Sequence, residues 1–340
     1  MQHRLNIRNA AITAVAVGSL VSLAACGDDP KPAPGATDTS SSAGTDSGTE
    51  SEAPADGGTI VFSPLGLQIP AMQGLAEGVK GYSASKGYEV TVQDPKLDPT
   101  KQVTDLQAVI ESGAVDGAWA ISIAPDSMTS LVQIALDKGV PMILNGTPEA
   151  YGQDGLGPGL SYSTIDYVAQ GTAAGEELAN CINERYDGKA DVLFAESAPG
   201  TAGKQELEDA VKAALAEGAP DAEIVTTITV SDRTAAQTDI GSALQGNPDV
   251  TAVFGQNDEG ALGAIGAFKA AGKDIPCITE AGGNDETLAA VESGDLYAVV
   301  ALQFEADLAQ SVDSLIAMIE DPEATGVQLT VPQEVVKAEG

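Results

Sequence analysis

From Thr59 onward the chain repeats one pattern: a short β-branched or apolar run, a polar turn, then a longer stretch with helical periodicity. Strand-like runs fall at Thr59–Phe62, Glu89–Gln93, Gly117–Ile123, Pro141–Leu144, Asp191–Ala195, Ile224–Thr229, Val250–Phe254, Pro276–Thr279 and Tyr297–Leu302. Helical patterns lie between them, at Ala71–Lys86, Lys101–Ser112, Met128–Lys138, Val168–Arg185, Lys204–Ala216, Ala235–Leu244, Ala261–Ala271 and Asp285–Glu292. Repeated βα units predict parallel sheets with helices on both faces. The length beyond Thr59 suffices for two domains with separate cores, so two sheets are expected rather than one of nine strands. Asp98-Pro99 before Lys101 supplies an N-cap and a first-turn proline for one of the helices.

The N-terminus is of a different kind. Arg4 and Arg8 precede an apolar run from Ala10 to Leu23, which reads as a secretory signal over residues 1–25. The run is short for a membrane span and contains Thr13, Gly18 and Ser19. It ends in Leu23-Ala24-Ala25-Cys26-Gly27, which resembles the box of a bacterial lipoprotein, with Cys26 as the lipidated residue. Acyl chains there would hold the mature protein on the outer side of the cell membrane. Residues 26–58 are rich in Asp, Ser, Thr, Gly, Ala and Pro and read as a tether without a core.

Composition removes several function classes. The only histidine, His3, lies in the leader, which excludes Ser-His-Asp and Cys-His nucleophile systems and histidine-ligated zinc in the mature chain. Gly188-Lys189, Gly203-Lys204 and Gly272-Lys273 lack the Ser or Thr of a phosphate loop, and Gly155-Leu156-Gly157-Pro158-Gly159 is no dinucleotide turn. A net charge of −34 argues against nucleic acid as a partner. A two-carboxylate glycosidase needs no histidine and stays open.

Val253 to Gly272, VFGQNDEGALGAIGAFKAAG, carries the most specific signal. A strand ends at Gln256-Asn257-Asp258 and a helix follows, with Asp258 read as its N-cap or as a turn residue. Polar loops at the carboxyl ends of strands in open α/β sheets are where ligands bind. The segment resembles the strand–QND–helix element of ribose/galactose-type periplasmic binding proteins, the sugar receptors of ABC importers. Val140-Pro141-Met142-Ile143, Thr164-Ile165-Asp166-Tyr167 and Gly283-Asn284 through Gln303 resemble further parts of that family, so the likeness covers Thr59 to about Lys337. It implies two doubly wound parallel-sheet lobes joined by a three-segment hinge. Lobe one is expected to hold residues 59–165 and 304–328, and lobe two 166–303 and 329–340, with a last strand near 329–337. It also implies no catalytic, metal or cofactor site. The partners implied are a small polar solute, a sugar or sugar-like molecule, and ABC permease subunits, with the protein a monomer. A receptor for a membrane sensor would share the fold and the anchor.

By that resemblance, Asn257 and Gln303 are solute ligands, and Gln205 stands where the family often has an arginine. Asn145, or Thr147 just beyond it, falls near the family's aspartate–arginine pair. The family's binding aspartate before Gly283-Asn284 is replaced by Gly282, and expected aromatic positions hold Ala71-Met72 and Ser231. Glu280, Asn284 and Asp285 are candidate replacements for the aspartate, Asp285 being equally a helix cap. Tyr151, in the glycine-rich stretch Gly146 to Leu160, is either the missing aromatic face or a solvent-facing loop residue. Trp119, alternating with Ile121 and Ile123, is read as core. Cys181 and Cys277 fall at the far end of lobe two, where an oxidising compartment favours a disulfide over two buried thiols.

Overall fold

The computed structural model describes residues 57–338. The leader, Cys26 and the tether as far as residue 56 lie outside the described residues. None of the described helices is long and apolar enough to cross a membrane.

The chain runs β1 (Gly58–Ser63), α1 (Pro70–Ser85), β2 (Tyr88–Val92), α2 (Pro99–Ser112), β3 (Gly117–Ala120), α3 (Thr129–Lys138), β4 (Met142–Asn145) and β5 (Leu160–Thr164). It continues as α4 (Tyr167–Tyr186), β6 (Asp191–Glu196), α5 (Lys204–Gly218), β7 (Glu223–Thr229), α6 (Arg233–Gly246), β8 (Val250–Gly255), α7 (Asp258–Ala270), β9 (Cys277–Gly282), α8 (Asp285–Glu292) and β10 (Ala298–Leu302). It closes with α9 (Phe304–Glu320), β11 (Gln328–Thr330) and β12 (Gln333–Lys337). The first sheet has the order β11-β5-β4-β3-β1-β2 and is parallel throughout. The second has the order β12-β10-β9-β8-β6-β7, with only β12 antiparallel. This is the two-lobed doubly wound α/β fold.

Each sheet is buried on both faces. Ile60 and Phe62 pack with Trp119 against α1 and α9, while Val61, Ala118 and Leu144 face α2 and α3. In the second sheet Val192, Phe194 and Phe254 face α4 and α5, and Leu193, Val253 and Ile278 face α6 and α7. Trp119 is therefore core. The α4–α5 pair comes so close that a Cβ on Gly171 would lie 2.2 Å from the Leu207 carbonyl oxygen. Cys181 in α4 and Cys277 at the start of β9, both fully buried, form a disulfide with Cα atoms 5.8 Å apart.

Two parts of the fold depart from the sequence expectation. Leu160–Thr164 is a strand where no apolar run marks one. Its alternate residues Ser161 and Ser163 are buried hydroxyls, Ser161 Oγ accepting the Val327 N–H at 3.0 Å. Gln328–Thr330 pairs with β5 in the first sheet, so a single strand over 329–337 in the second does not form. The chain instead turns at Val331-Pro332, because proline has no N–H to continue the ladder.

The chain thus passes between the sheets three times, through Ile165-Asp166, Gln303 and Val331-Pro332. The passages are laced together: Val331 N–H donates to Thr164 O at 2.8 Å, Gln303 N–H to Pro332 O at 2.8 Å, and Gln333 Nε2 to Asp166 O at 3.0 Å. All three leave the carboxyl ends of strands, β5, β10 and β11. The carboxyl ends of both sheets therefore meet at one seam.

Candidate functional site

In each sheet the strand order reverses beside its first strand, between β1 and β3 and between β6 and β8. Loops leaving the carboxyl ends at such a switch point form the binding crevice of a doubly wound sheet. In lobe one a buried side chain builds that rim. Gln102 of α2, 1% exposed, donates through Nε2 to Ile121 O at 2.9 Å and accepts the Ile123 N–H through Oε1 at 2.9 Å. Longer contacts from Nε2 reach Ser63 and Pro64, so one amide ties together the loops after β1 and β3. Lobe two uses Glu208 of α5 likewise: its Oε1 accepts the Ser197 N–H after β6 at 2.8 Å. Ser197 Oγ in turn donates to Gln256 Oε1 at 2.6 Å, joining the loops after β6 and β8.

Asn145 ends β4, and its Oδ1 accepts the Ser122 N–H and a longer bond from the Tyr151 hydroxyl. Asn257, not Asp258, is the N-cap of α7, its Oδ1 accepting the Gly260 N–H at 3.0 Å. The helix starts one turn earlier than its apolar pattern suggests, which moves the cap back to Asn257. Asn284 caps α8 in the same manner, accepting from Glu286 and Thr287 N–H at 2.9 Å each. In all three asparagines the oxygen is engaged, which leaves the Nδ2 donors for a further partner. Gln303 occupies the cap position of α9 without a side-chain cap bond and is half-buried at the hinge.

Other expected positions fall elsewhere. Tyr151 is neither an aromatic face nor solvent-exposed: it is fully buried in the lobe-one core beside Tyr162, ring centroids 5.8 Å apart. Its hydroxyl lies 2.7 Å from Ser122 Oγ and 2.6 Å from Asn145 O, and burial pushes its pKa up to about 12. It supports Asn145 and cannot be reached by a solute. Thr147 is exposed beyond β4, and Gln205 is exposed at the start of α5. The cation at that helix start is Lys204, which the sequence pattern did not single out. Its Nζ lies 2.8 Å from both Glu208 carboxylate oxygens and 3.2 Å from Glu196 Oε2. Burial pulls the Lys204 ammonium down, but its bonds to the two carboxylates outweigh that and hold its pKa above the ordinary value. Lys204 is thus neutralised within lobe two.

At Gly282, where the resemblance leads one to expect an aspartate, two acids crowd the bare backbone. Asp258 Oδ1 accepts from Gly283 N–H at 2.9 Å, Asn284 N–H at 2.7 Å and Thr287 Oγ1 at 2.8 Å. Glu280 is fully buried, and neither of its oxygens makes a hydrogen bond. Asp285 is exposed in the first turn of α8. No group of three or more His, Cys, Asp or Glu side chains among the described residues could hold a metal ion.

Two doubly wound sheets joined by a triple crossing, with polar loops gathered at the seam, have the architecture of a two-lobed binding protein. The family model described as a periplasmic binding protein domain matches residues 60–323, and the chain belongs to that family. It is similar to the ribose import binding protein RbsB of Haemophilus influenzae, at 30% identity over 254 residues, 73% of this chain and 80% of that protein. RbsB of Bacillus subtilis is 29% identical over 248 residues, 73% and 77% of the two chains. Among solved structures, a periplasmic solute-binding protein of an ABC transporter from Actinobacillus succinogenes, with bound D-allose, superposes with a TM-score of 0.69. It is 21% identical, and the match covers 82% of this chain and 97% of that one. The chain is accordingly an extracytoplasmic solute-binding protein and not an enzyme.

Proposed function

We propose that the protein is a lipid-anchored receptor that captures a neutral polyhydroxylated solute, a sugar or polyol, between its lobes and delivers it to an ABC permease. The observation that carries this reading is the set of amides at the seam. Asn145, Asn257 and Asn284 have their oxygens engaged and their Nδ2 groups left as donors, while the nearby Lys204 is already paired. Hydroxyl oxygens accept such donors, and the paired Lys204 offers no free charge to an anionic solute. Cys26 would carry the lipid. Lobe one would comprise residues 59–165 and 304–330, lobe two 166–303 and 333–340, with Gln303 at the hinge. Contacts to both lobes make affinity and closure parts of one free energy.

A thermal-shift screen over D-ribose, D-allose, xylitol and myo-inositol tests the solute class, since a ligand bound only by the native state raises the melting temperature. The reading fails if amino acids or nucleosides stabilise the protein and none of these four does. With the solute so found, X-ray scattering should give a smaller radius at saturation than without it. An unchanged radius would count against closure.

Asn257→Asp separates the two tasks of that residue. Aspartate caps a helix as well as asparagine, so melting should change by less than about 1 kcal/mol. Losing the Nδ2 donor to the solute should weaken binding by about 1–3 kcal/mol, roughly 5- to 150-fold, by calorimetry. Unchanged affinity would remove Asn257 from the site.

A further inference from the structure

The buried acid at the end of β9 is used by nothing described so far. Glu280 is 0% exposed, and both of its carboxyl oxygens lack a hydrogen bond. A carboxylate in that position would be an unpaired buried charge, which proteins avoid by keeping the group protonated. Its closest ionisable neighbour is itself an acid. A Cβ built on Gly282 would lie 2.8 Å from Glu280 Oε2 and 2.8 Å from Asp258 Oδ2, so the two oxygens flank one small space. Asp258 Oδ1 is taken by three donors, whereas its Oδ2 receives none from the described residues.

We propose that Glu280 is held as a neutral acid whose proton is donated to Asp258 Oδ2, the pair positioning Asn284 and the Gly282–Asn284 loop at the solute site. This rests on the interlobe binding site proposed above. Asp258 remains the anion of the pair. Its charge suits the N-termini of α7 and α8 and the two loop N–H groups that it accepts. Glu280 acts through Asp258 and is a positioning residue.

The surroundings support one shared proton. Burial first, and then the Asp258 charge, pushes the Glu280 carboxyl well above the usual carboxylate range, against a smaller opposing pull from the nearby Thr287 hydroxyl and Gly283 N–H, both of which are bonded to Asp258 Oδ1. The flanking strands β8, Val250–Gly255, and β10, Ala298–Leu302, carry no ionisable residue. From α7 the facing acid is Asp258; Glu259 is turned to Arg233 of α6 at 3.0 Å. From α8 the facing group is the Thr287 hydroxyl, while Asp285 and Glu286 are exposed and Glu286 also pairs with Arg233. On the opposite face of β9, Thr279 Oγ1 donates to the Ala174 carbonyl of α4.

Difference infrared spectroscopy of the whole protein tests the pair directly. The wild type should show a protonated-carboxyl band at about pH 7 that is missing in Glu280→Gln. Because the folded pKa stands above the ordinary 4.5, the stability Glu280 contributes is present below that value and is lost as pH rises through the folded pKa. The wild-type melting temperature should therefore fall more steeply than that of Glu280→Gln as pH rises above the ordinary carboxylate range. For whichever of D-ribose, D-allose, xylitol or myo-inositol binds, Glu280→Leu should lose about tenfold in affinity. Glu280→Gln, whose amide can still donate to Asp258, should recover most of that loss, and its affinity should fall less than that of the wild type as pH rises. No such band in the wild type, the same band in Glu280→Gln, or identical pH profiles would overturn the proposal. If Glu280→Leu does not fold, the band and the Glu280→Gln profile decide. If none of the four solutes binds, the solute reading fails, while the band and the melting profile still judge the pair.

Discussion

Replacing both Cys181 and Cys277 by alanine is expected to lower the melting temperature by roughly 7–15 °C, with the affinity for solute unchanged while the protein is folded. The bridge joins residues 96 apart, so it closes a long loop of the unfolded chain. In the chain-entropy account a loop of this size corresponds to about 4–5 kcal/mol of native stability. Both sulfurs lie in the core between α4 and the second sheet, beside Ile182, Val192 and Phe254, so trimming them also loosens packing. Alanine is the useful replacement because serine would add a buried hydroxyl. Cys277 begins β9 and Cys181 lies in the last turns of α4, at the opposite end of lobe two from the seam. That distance is why binding should survive. Calorimetric melting read alongside titration with the bound solute checks both halves. An unchanged melting temperature would show that the bridge adds nothing, and a large loss of affinity in the folded variant would show that it reaches the site.

The bridge also marks how far a sequence of this kind can be read. Strands buried on both faces appear as continuous apolar runs, so Val250–Phe254 and Asp191–Ala195 are visible without any tertiary information. The α4 and β9 ends that carry the cysteines follow from the direction of each βα unit. Leu160–Thr164 escapes the same logic because buried serines, bonded to neighbouring backbone and side chains, look polar in sequence. Asn257 and Asp258 show the limit more finely. Either is a sound cap by type, and only the first turn of α7 decides that Asn257 closes the helix while Asp258 turns toward Gly283 and Asn284. Gln102 left a readable trace, since it shares a face with Leu106 and Ile110 at four-residue spacing. Glu280 left another, as the one acid among Cys277–Gly282. Their roles depend on which loops arrive beside them, and that is decided by packing between segments distant in sequence. Tyr151 misleads for the same reason: a glycine-rich loop suggests exposure, yet the turn Pro148–Tyr151 folds the ring under β4.

Gly282→Asp, which places an acid where the sequence resemblance leads one to expect it, is expected to damage the protein instead of improving its grip on a sugar. The backbone itself would tolerate a side chain, since Gly282 is not among the glycines with positive φ. The obstacle is the occupied space. A Cβ there would meet Asp258 Oδ2 at 2.8 Å, Asp258 Cγ at 2.9 Å and Glu280 Oε2 at 2.8 Å, inside the ordinary contact limit. A third carboxyl group in that volume also adds like charge beside Asp258. Displacing Asp258 would release the Gly283 and Asn284 N–H groups and the Thr287 hydroxyl, each bond to a charged acceptor being worth about 1.5–3 kcal/mol. Partial relaxation should leave a net loss of roughly 2–4 kcal/mol in stability, together with weaker solute binding because the Asn284 loop is no longer held. The companion variant Asp258→Ser with Gly282→Asp moves the carboxyl group from one backbone position to the other and empties part of the crowded space. It should be more stable than the sum of the two single changes predicts, since residues in direct contact couple in a double-mutant cycle. A Gly282→Asp protein that melts like the wild type and binds its sugar more tightly would mean that the space beside Asp258 and Glu280 is open to a side chain, and that the crowding at Gly282 does not limit this site.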